Sequence, residues 1–80
     1  MTYVYLIQSV KFPSQRYIGL TSDLNKRLQS HNWGQSPHTE KYKPWKMVSY
    51  IAFSEEDKAH DFEHYLKSGS GRAFAQKRLW

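Results

Sequence analysis

Residues 3 to 7 run Tyr-Val-Tyr-Leu-Ile, a stretch that has no polar face when it is extended. Successive side chains of a strand point to opposite sides, so Tyr3, Tyr5 and Ile7 share one face and Val4 and Leu6 the other. A strand from about Tyr3 to Gln8 is therefore expected to be largely buried on both faces. A second run, Arg16 to Thr21, follows a polar segment containing Pro13 and Ser14, and the two runs read as a β-hairpin. Gly19 removes a side chain from the second strand. That marks either a close approach by another group or a weak point in an edge strand.

A helix is expected next, opening at Ser22 or Asp23 as N-cap and stopping before Gly34. On it Arg27 and His31 stand four residues apart, neighbours on one face and one residue round from Leu24 and Leu28. A cation and an imidazole thus meet the edge of the core. Asn32 to Pro44 has no periodicity and reads as a long loop, of the kind that is usually functional or mobile. Within it Lys41, Tyr42 and Lys43 suit phosphates and a stacked base or sugar, or equally a solvated surface. Trp45 to Phe53 is the third strand and, free of Gly and Pro, is expected to be the central or best buried one. Ser54 with Asp57 resembles a capping box for a second helix running to about Lys67. Gly69-Ser70-Gly71-Arg72 then turns into a short final helix ending near Trp80; its amides can cradle a phosphate, although a plain turn is the simpler reading.

Glu63 falls among Ala59, Phe62 and Leu66, the apolar stripe of the second helix, and so points toward the core. A buried lone carboxylate is costly unless it is paired or bound to a metal, and the simplest partner is Arg27. His60 and His64 also lie four apart, but without a third ligand they read as surface residues.

Eighty residues make one domain, 1–80, with a thin core; a chain of this size buries somewhat more than about 60% of its unfolded surface. Thirteen aromatic residues offset that, and the lack of cysteine leaves stability to packing. A weak homodimer would help such a core, so monomer and dimer both stay open. The net charge is +5, yet five of the seven acids lie between Glu55 and Glu63. The rest of the chain sets eleven Lys/Arg against Asp23 and Glu40, a balance that attracts polyanions, nucleic acid first, or merely keeps a protein soluble. Met1 to Val10 has no signal-peptide pattern and no run approaches the roughly 20 apolar residues of a membrane span, so a cytoplasmic protein is expected.

Tyr5, Tyr17, Arg27, His31 and Glu63 together suit phosphodiester hydrolysis. Glu63 is a hard oxygen ligand, and one carboxylate with waters and a substrate phosphate holds Mg²⁺ well. Arg27 can neutralise charge on the phosphorus oxygens. Tyr17 or Tyr5 can serve as the base if a cation lowers a phenol pKa of about 10, with His31 relaying or accepting the proton.

Tyr3-Val4-Tyr5, eleven residues, Tyr17-Ile18-Gly19, then Arg27 and Glu63 on successive helices resembles the GIY-YIG nuclease family over nearly the whole chain. The likeness is to small stand-alone bacterial members similar to the N-terminal nuclease domain of the excision-repair C subunit. It implies an α+β fold, a three-stranded antiparallel sheet flanked by helices. It also implies a Mg²⁺- or Mn²⁺-dependent DNA endonuclease acting in DNA repair. By position, Tyr5 and Tyr17 match the motif tyrosines, Arg27 the catalytic arginine and Glu63 the metal ligand, and His31 resembles the histidine of some restriction-enzyme members. Lys26, Lys41, Lys43, Lys46 and Arg72 are the candidate DNA contacts. Tyr3 replaces the first motif glycine, Leu20 stands where many members have lysine, and no asparagine follows Asn32. The auxiliary DNA-binding domain of many members has no counterpart, which implies weak or poorly specific binding. The alternative is a non-catalytic nucleic-acid-binding module; a third reading is an interaction domain with a buried Arg27–Glu63 pair. An open cleft beside Tyr17 would favour catalysis over the last.

Overall fold

The computed structural model describes all 80 residues, Met1–Trp80. Three antiparallel strands, β1 (Thr2–Ser9), β2 (Arg16–Thr21) and β3 (Trp45–Phe53), form one sheet in the order β2-β1-β3. Helix α1 (Leu24–Asn32) follows β2, and α2 (Glu56–Leu66) and α3 (Gly69–Arg78) follow β3.

The fully apolar run at the start of β1 places that strand in the middle. Val4 and Leu6 pack with Ala59, Leu66 and Ala75, which are contributed by α2 and α3. Tyr5 and Ile7 pack on the other face with Trp45, bordered by Leu24 and Leu28 of α1. Helices therefore cover the sheet on both sides, as the two-faced pattern of β1 requires. β3 is an edge strand, not the central one: of its nine residues only Trp45 is fully buried, and Tyr50 is 55% exposed. Its three rings are divided among a buried position, Trp45, an exposed one, Tyr50, and a half-buried one, Phe53.

Asp23 caps α1 by accepting from the Lys26 amide, and Gly34 at φ +77° takes the left-handed conformation just beyond the helix end. The capping box expected at Ser54 and Asp57 does not form. The N-cap of α2 is Glu55, with no side-chain bond, and the acids Glu56 and Asp57 stabilise the first turn through the helix dipole instead. Gly69 to Arg72 is not a turn but the first turn of α3, capped by Ser68, whose hydroxyl accepts from the Gly71 amide. Within the long loop, Glu40–Tyr42 forms a 3₁₀ turn, and Thr39 before it is buried.

Candidate active site

β1 and β2 are paired so that Tyr5 lies opposite Gly19. The Tyr5 ring fills the space a side chain at Gly19 would need: a Cβ there would fall 2.6 Å from Tyr5 Cζ. This is the close approach that one reading of Gly19 anticipates. The ring continues toward α1, where the Tyr5 hydroxyl meets His31 Nε2 at 2.8 Å, and His31 Nδ1 meets Thr39 Oγ1 at 2.7 Å. The Thr39 hydroxyl donates to the Ser36 carbonyl at 3.4 Å, so it accepts from Nδ1–H; Nε2 then accepts from the Tyr5 hydroxyl. Thr39 is also held by Trp45, whose indole N–H donates to its carbonyl at 2.8 Å. His31 is thus fully buried rather than at the edge of the core, with both nitrogens engaged.

Tyr17 stands beside this pair. Its ring centroid lies 6.3 Å from that of Tyr5 and 5.2 Å from that of His31. Arg27 projects from α1 with an exposed side chain, and its guanidinium acts on both buried partners. Burial, then the neighbouring Tyr17 phenol, pushes the Tyr5 hydroxyl up to about 12, against the opposing pull of Arg27. Burial, and then the Arg27 charge, lowers the His31 pKa below its usual value. The imidazole is therefore neutral at pH 7, and Tyr5 is a protonated phenol.

Glu63 stands on α2, in the helical layer on the opposite face of the sheet from α1. It is 9% exposed, and its carboxylate pairs with Lys67 one turn along α2, not with Arg27. His60 is exposed and lies 3.9 Å from Glu56. No three His, Asp or Glu side chains converge anywhere in the chain, so a cation held by Glu63 would complete its shell with water and phosphate oxygens. A buried carboxylate whose ion-pair partner is a half-exposed, flexible lysine fits that role.

Two clefts flank the Tyr17–His31 contact. One, of about 380 Å³, is lined by Asp23, Lys26, Arg27, Ser30 and His31. The other, of about 480 Å³, is lined by Arg16, Tyr17, Lys67, Arg72 and Trp80. An open concave surface beside Tyr17 is what separates a catalytic module from a closed, buried ion pair. Of the candidate DNA contacts, Lys26 lines the first cleft and Arg72 the second. Lys41, Lys43 and Lys46 are exposed but line neither. Thr39, Lys67, Arg16 and Trp80 escape the sequence reading. Lys67 alone carried a signal there, its spacing of four from Glu63 on a helix.

Residues 1–78 match the model of the GIY-YIG catalytic domain. The chain is 42% identical over 65 residues to the structure-specific endonuclease subunit slx1 of Talaromyces marneffei, covering 74% of this chain and 17% of that protein. It is 37% identical over 71 residues to the corresponding subunit of Debaryomyces hansenii, covering 80% and 20%. The chain thus spans about a fifth of the length of these relatives. The NMR structure of a UPF0213 protein from Bacillus halodurans superposes with a TM-score of 0.56 at 28% identity, covering 95% of this chain and 81% of that one. On the strength of the family match and of the order in which Tyr5, Tyr17, Arg27 and Glu63 occur, the chain belongs to the GIY-YIG catalytic-domain family.

Proposed function

We propose that residues 1–80 form a single divalent-metal-dependent endonuclease domain that hydrolyses DNA phosphodiester bonds. The observation that carries this reading is the meeting of Tyr17 and Arg27 around a buried Tyr5–His31 pair, with open clefts on both sides. Glu63 would hold the cation, Mg²⁺ or Mn²⁺, which when bound supplies Lewis-acid polarisation of the scissile phosphate.

The remaining roles follow from surroundings. Arg27, exposed and unpaired by any carboxylate, binds the phosphoryl oxygens and stabilises the negative charge that grows on them in the transition state. Tyr17 is half-buried and lines a cleft, so its hydroxyl can orient the attacking water and accept a proton from it while passing its own to solvent as the new oxygen–phosphorus bond forms. The bond to the sugar oxygen then breaks, and that oxygen leaves with a proton from solvent. Tyr5 and His31 are positioning residues. Their hydrogen bonds are already committed, and the neutral imidazole fixes the floor against which Tyr17 packs.

No helix is long and apolar enough to cross a membrane. The basic charge balance and relatives described as structure-specific endonuclease subunits support a protein that processes DNA, and the reading places that processing in repair, in the cytoplasm. The test is nicking of supercoiled plasmid by the purified protein with Mg²⁺, Mn²⁺ or chelator, beside a folded Glu63→Gln variant. Cleavage that requires metal and vanishes in the variant is the expected result. Metal-independent DNA binding without cleavage, on plasmid and on branched DNA, would favour the non-catalytic module instead.

A further inference from the structure

We propose that the cleft between β2 and α3 binds one unpaired nucleotide of a DNA strand, an inference that rests on the nuclease reading above. At about 480 Å³ it falls within the size range of small-molecule pockets. Its charged lining is entirely cationic, Arg16, Lys67 and Arg72, with no carboxylate among the residues that line it. The floor is apolar, formed by Ile18, Leu66 and Ala75. Phosphate-binding cations above an apolar floor match a nucleotide better than they match an acidic peptide, which lacks a flat apolar face.

The wall for the base is already built. The Arg16 guanidinium sits 4.8 Å from the centre of the Trp80 ring, and its Nη1 donates to Gln76 Oε1 at 2.9 Å. Trp80 is held in turn by its backbone, whose N–H donates to the Ala75 carbonyl at 2.9 Å, while the Ser49 hydroxyl donates to the preceding carbonyl of Leu79 at 2.9 Å. The guanidinium is held by Gln76 and the indole by the apolar core it packs against, so neither has much freedom left to lose when a base stacks on it. Duplex DNA keeps its bases stacked inside and offers this wall nothing; an unpaired base has a free face. Tyr17 also lines this cleft, so a nucleotide held here borders the proposed reacting centre.

The experiment is fluorescence anisotropy in chelator with a short fluorescein-labelled oligothymidine and, separately, a blunt duplex of equal length. Wild type is compared with Arg16→Ala, Trp80→Ala and Arg72→Ala, each checked for folding by circular dichroism. Trp80→Ala and Arg16→Ala should bind oligothymidine about tenfold more weakly, the effect of losing one stacked base, while retaining duplex affinity. Arg72→Ala, on the exposed side of α3, should lower the slope of log affinity against log salt for the single strand by about 0.7. Unchanged oligothymidine binding in folded Arg16→Ala and Arg72→Ala would overturn the site, as would equal losses for single strand and duplex. Because cleavage is not involved, the outcome is independent of the plasmid assay. A wild type that nicks plasmid, with variants that bind oligothymidine normally, would refute this site and leave the nuclease standing; the reverse pattern would refute the nuclease alone.

Discussion

Tyr5 and Tyr17 are two phenols on one face of the sheet, separated in role by what their hydroxyls touch. Tyr5→Phe would strip the donor from buried His31 Nε2, and leaving such a group unpaired costs about 1–3 kcal/mol, measurable as a fall in unfolding free energy in urea. Tyr17→Phe should leave stability within about 0.5 kcal/mol of wild type, since the site is half-buried, yet reduce plasmid nicking by about a hundredfold or more. Equal stability losses, or an active Tyr17→Phe, would exchange or remove these roles. His31 adds a pH signature. Its pKa is lowered in the fold, so below the unfolded value of about 6.5 the unfolded chain binds the proton first. The stability His31 contributes is thus complete above that pH and is lost as pH falls through the window beneath it. Thermal unfolding of the wild type should decline more steeply from pH 7 to pH 5 than that of His31→Gln, by no more than about 1.4 kcal/mol per pH unit for one proton. At this scale Tyr5, Tyr17, Arg27 and Glu63 were legible as candidates, because a motif order or a helical spacing ties each to its neighbours. Thr39 was illegible. It lies eight residues from His31 in an aperiodic polar loop, and nothing local couples the two until the fold closes.

Among the elements, the joint between α2 and α3 is the most tightly specified by a single residue. A Cβ at Gly71 would fall inside the van der Waals shell of the Tyr65 carbonyl oxygen and 2.8 Å from Leu66 Cα, both of them backbone atoms that a side-chain rotation cannot clear. Gly69, two residues earlier in the same helix, has nothing within 4 Å of that position. Gly71→Ala should therefore destabilise by about 3 kcal/mol or more by forcing the helices apart. Gly69→Ala should stabilise by about 0.4–1 kcal/mol through the unfolded chain's lost freedom. Paired denaturation curves decide it, and similar midpoints for the two variants would show that the helices part without cost. The same joint explains an error in reading the sequence: two glycines and a serine in four residues resemble a turn, whereas the close helix contact is what requires Gly71. The two-sided burial of β1 was legible in the unbroken apolar stretch Val4 to Ile7, but its central place was not drawn from it. The aromatic richness of β3 pointed the other way because rings at exposed or half-buried edge positions and rings in a core look alike in a sequence.

Over the whole molecule, charge is sorted by surface. Arg16, Lys26, Arg27, Lys67 and Arg72 line the two clefts with Asp23 the one acid among them, while most exposed acids gather along α2 and just before it, from Glu55 to Asp61. Lys41, Lys43 and Lys46 add positive charge outside both clefts. If the cleft lined by Lys26 and Arg27 is the track of the duplex backbone, each cation in it that meets a phosphate releases counterions, and each contributes about 0.9 to the slope of log affinity against log salt for duplex DNA. Lys26→Gln should lower that slope by close to this amount. Lys46→Gln should shift it less, acting only through the long-range field, which fades beyond roughly 10 Å at 0.1 M salt. Titrations in the Glu63→Gln background, expected to bind without cleaving, at several salt concentrations separate the two. A drop for Lys46→Gln as large as that for Lys26→Gln would extend the DNA footprint to the start of β3, which Lys41 and Lys43 closely precede. The clefts would then be only part of the surface that holds the substrate.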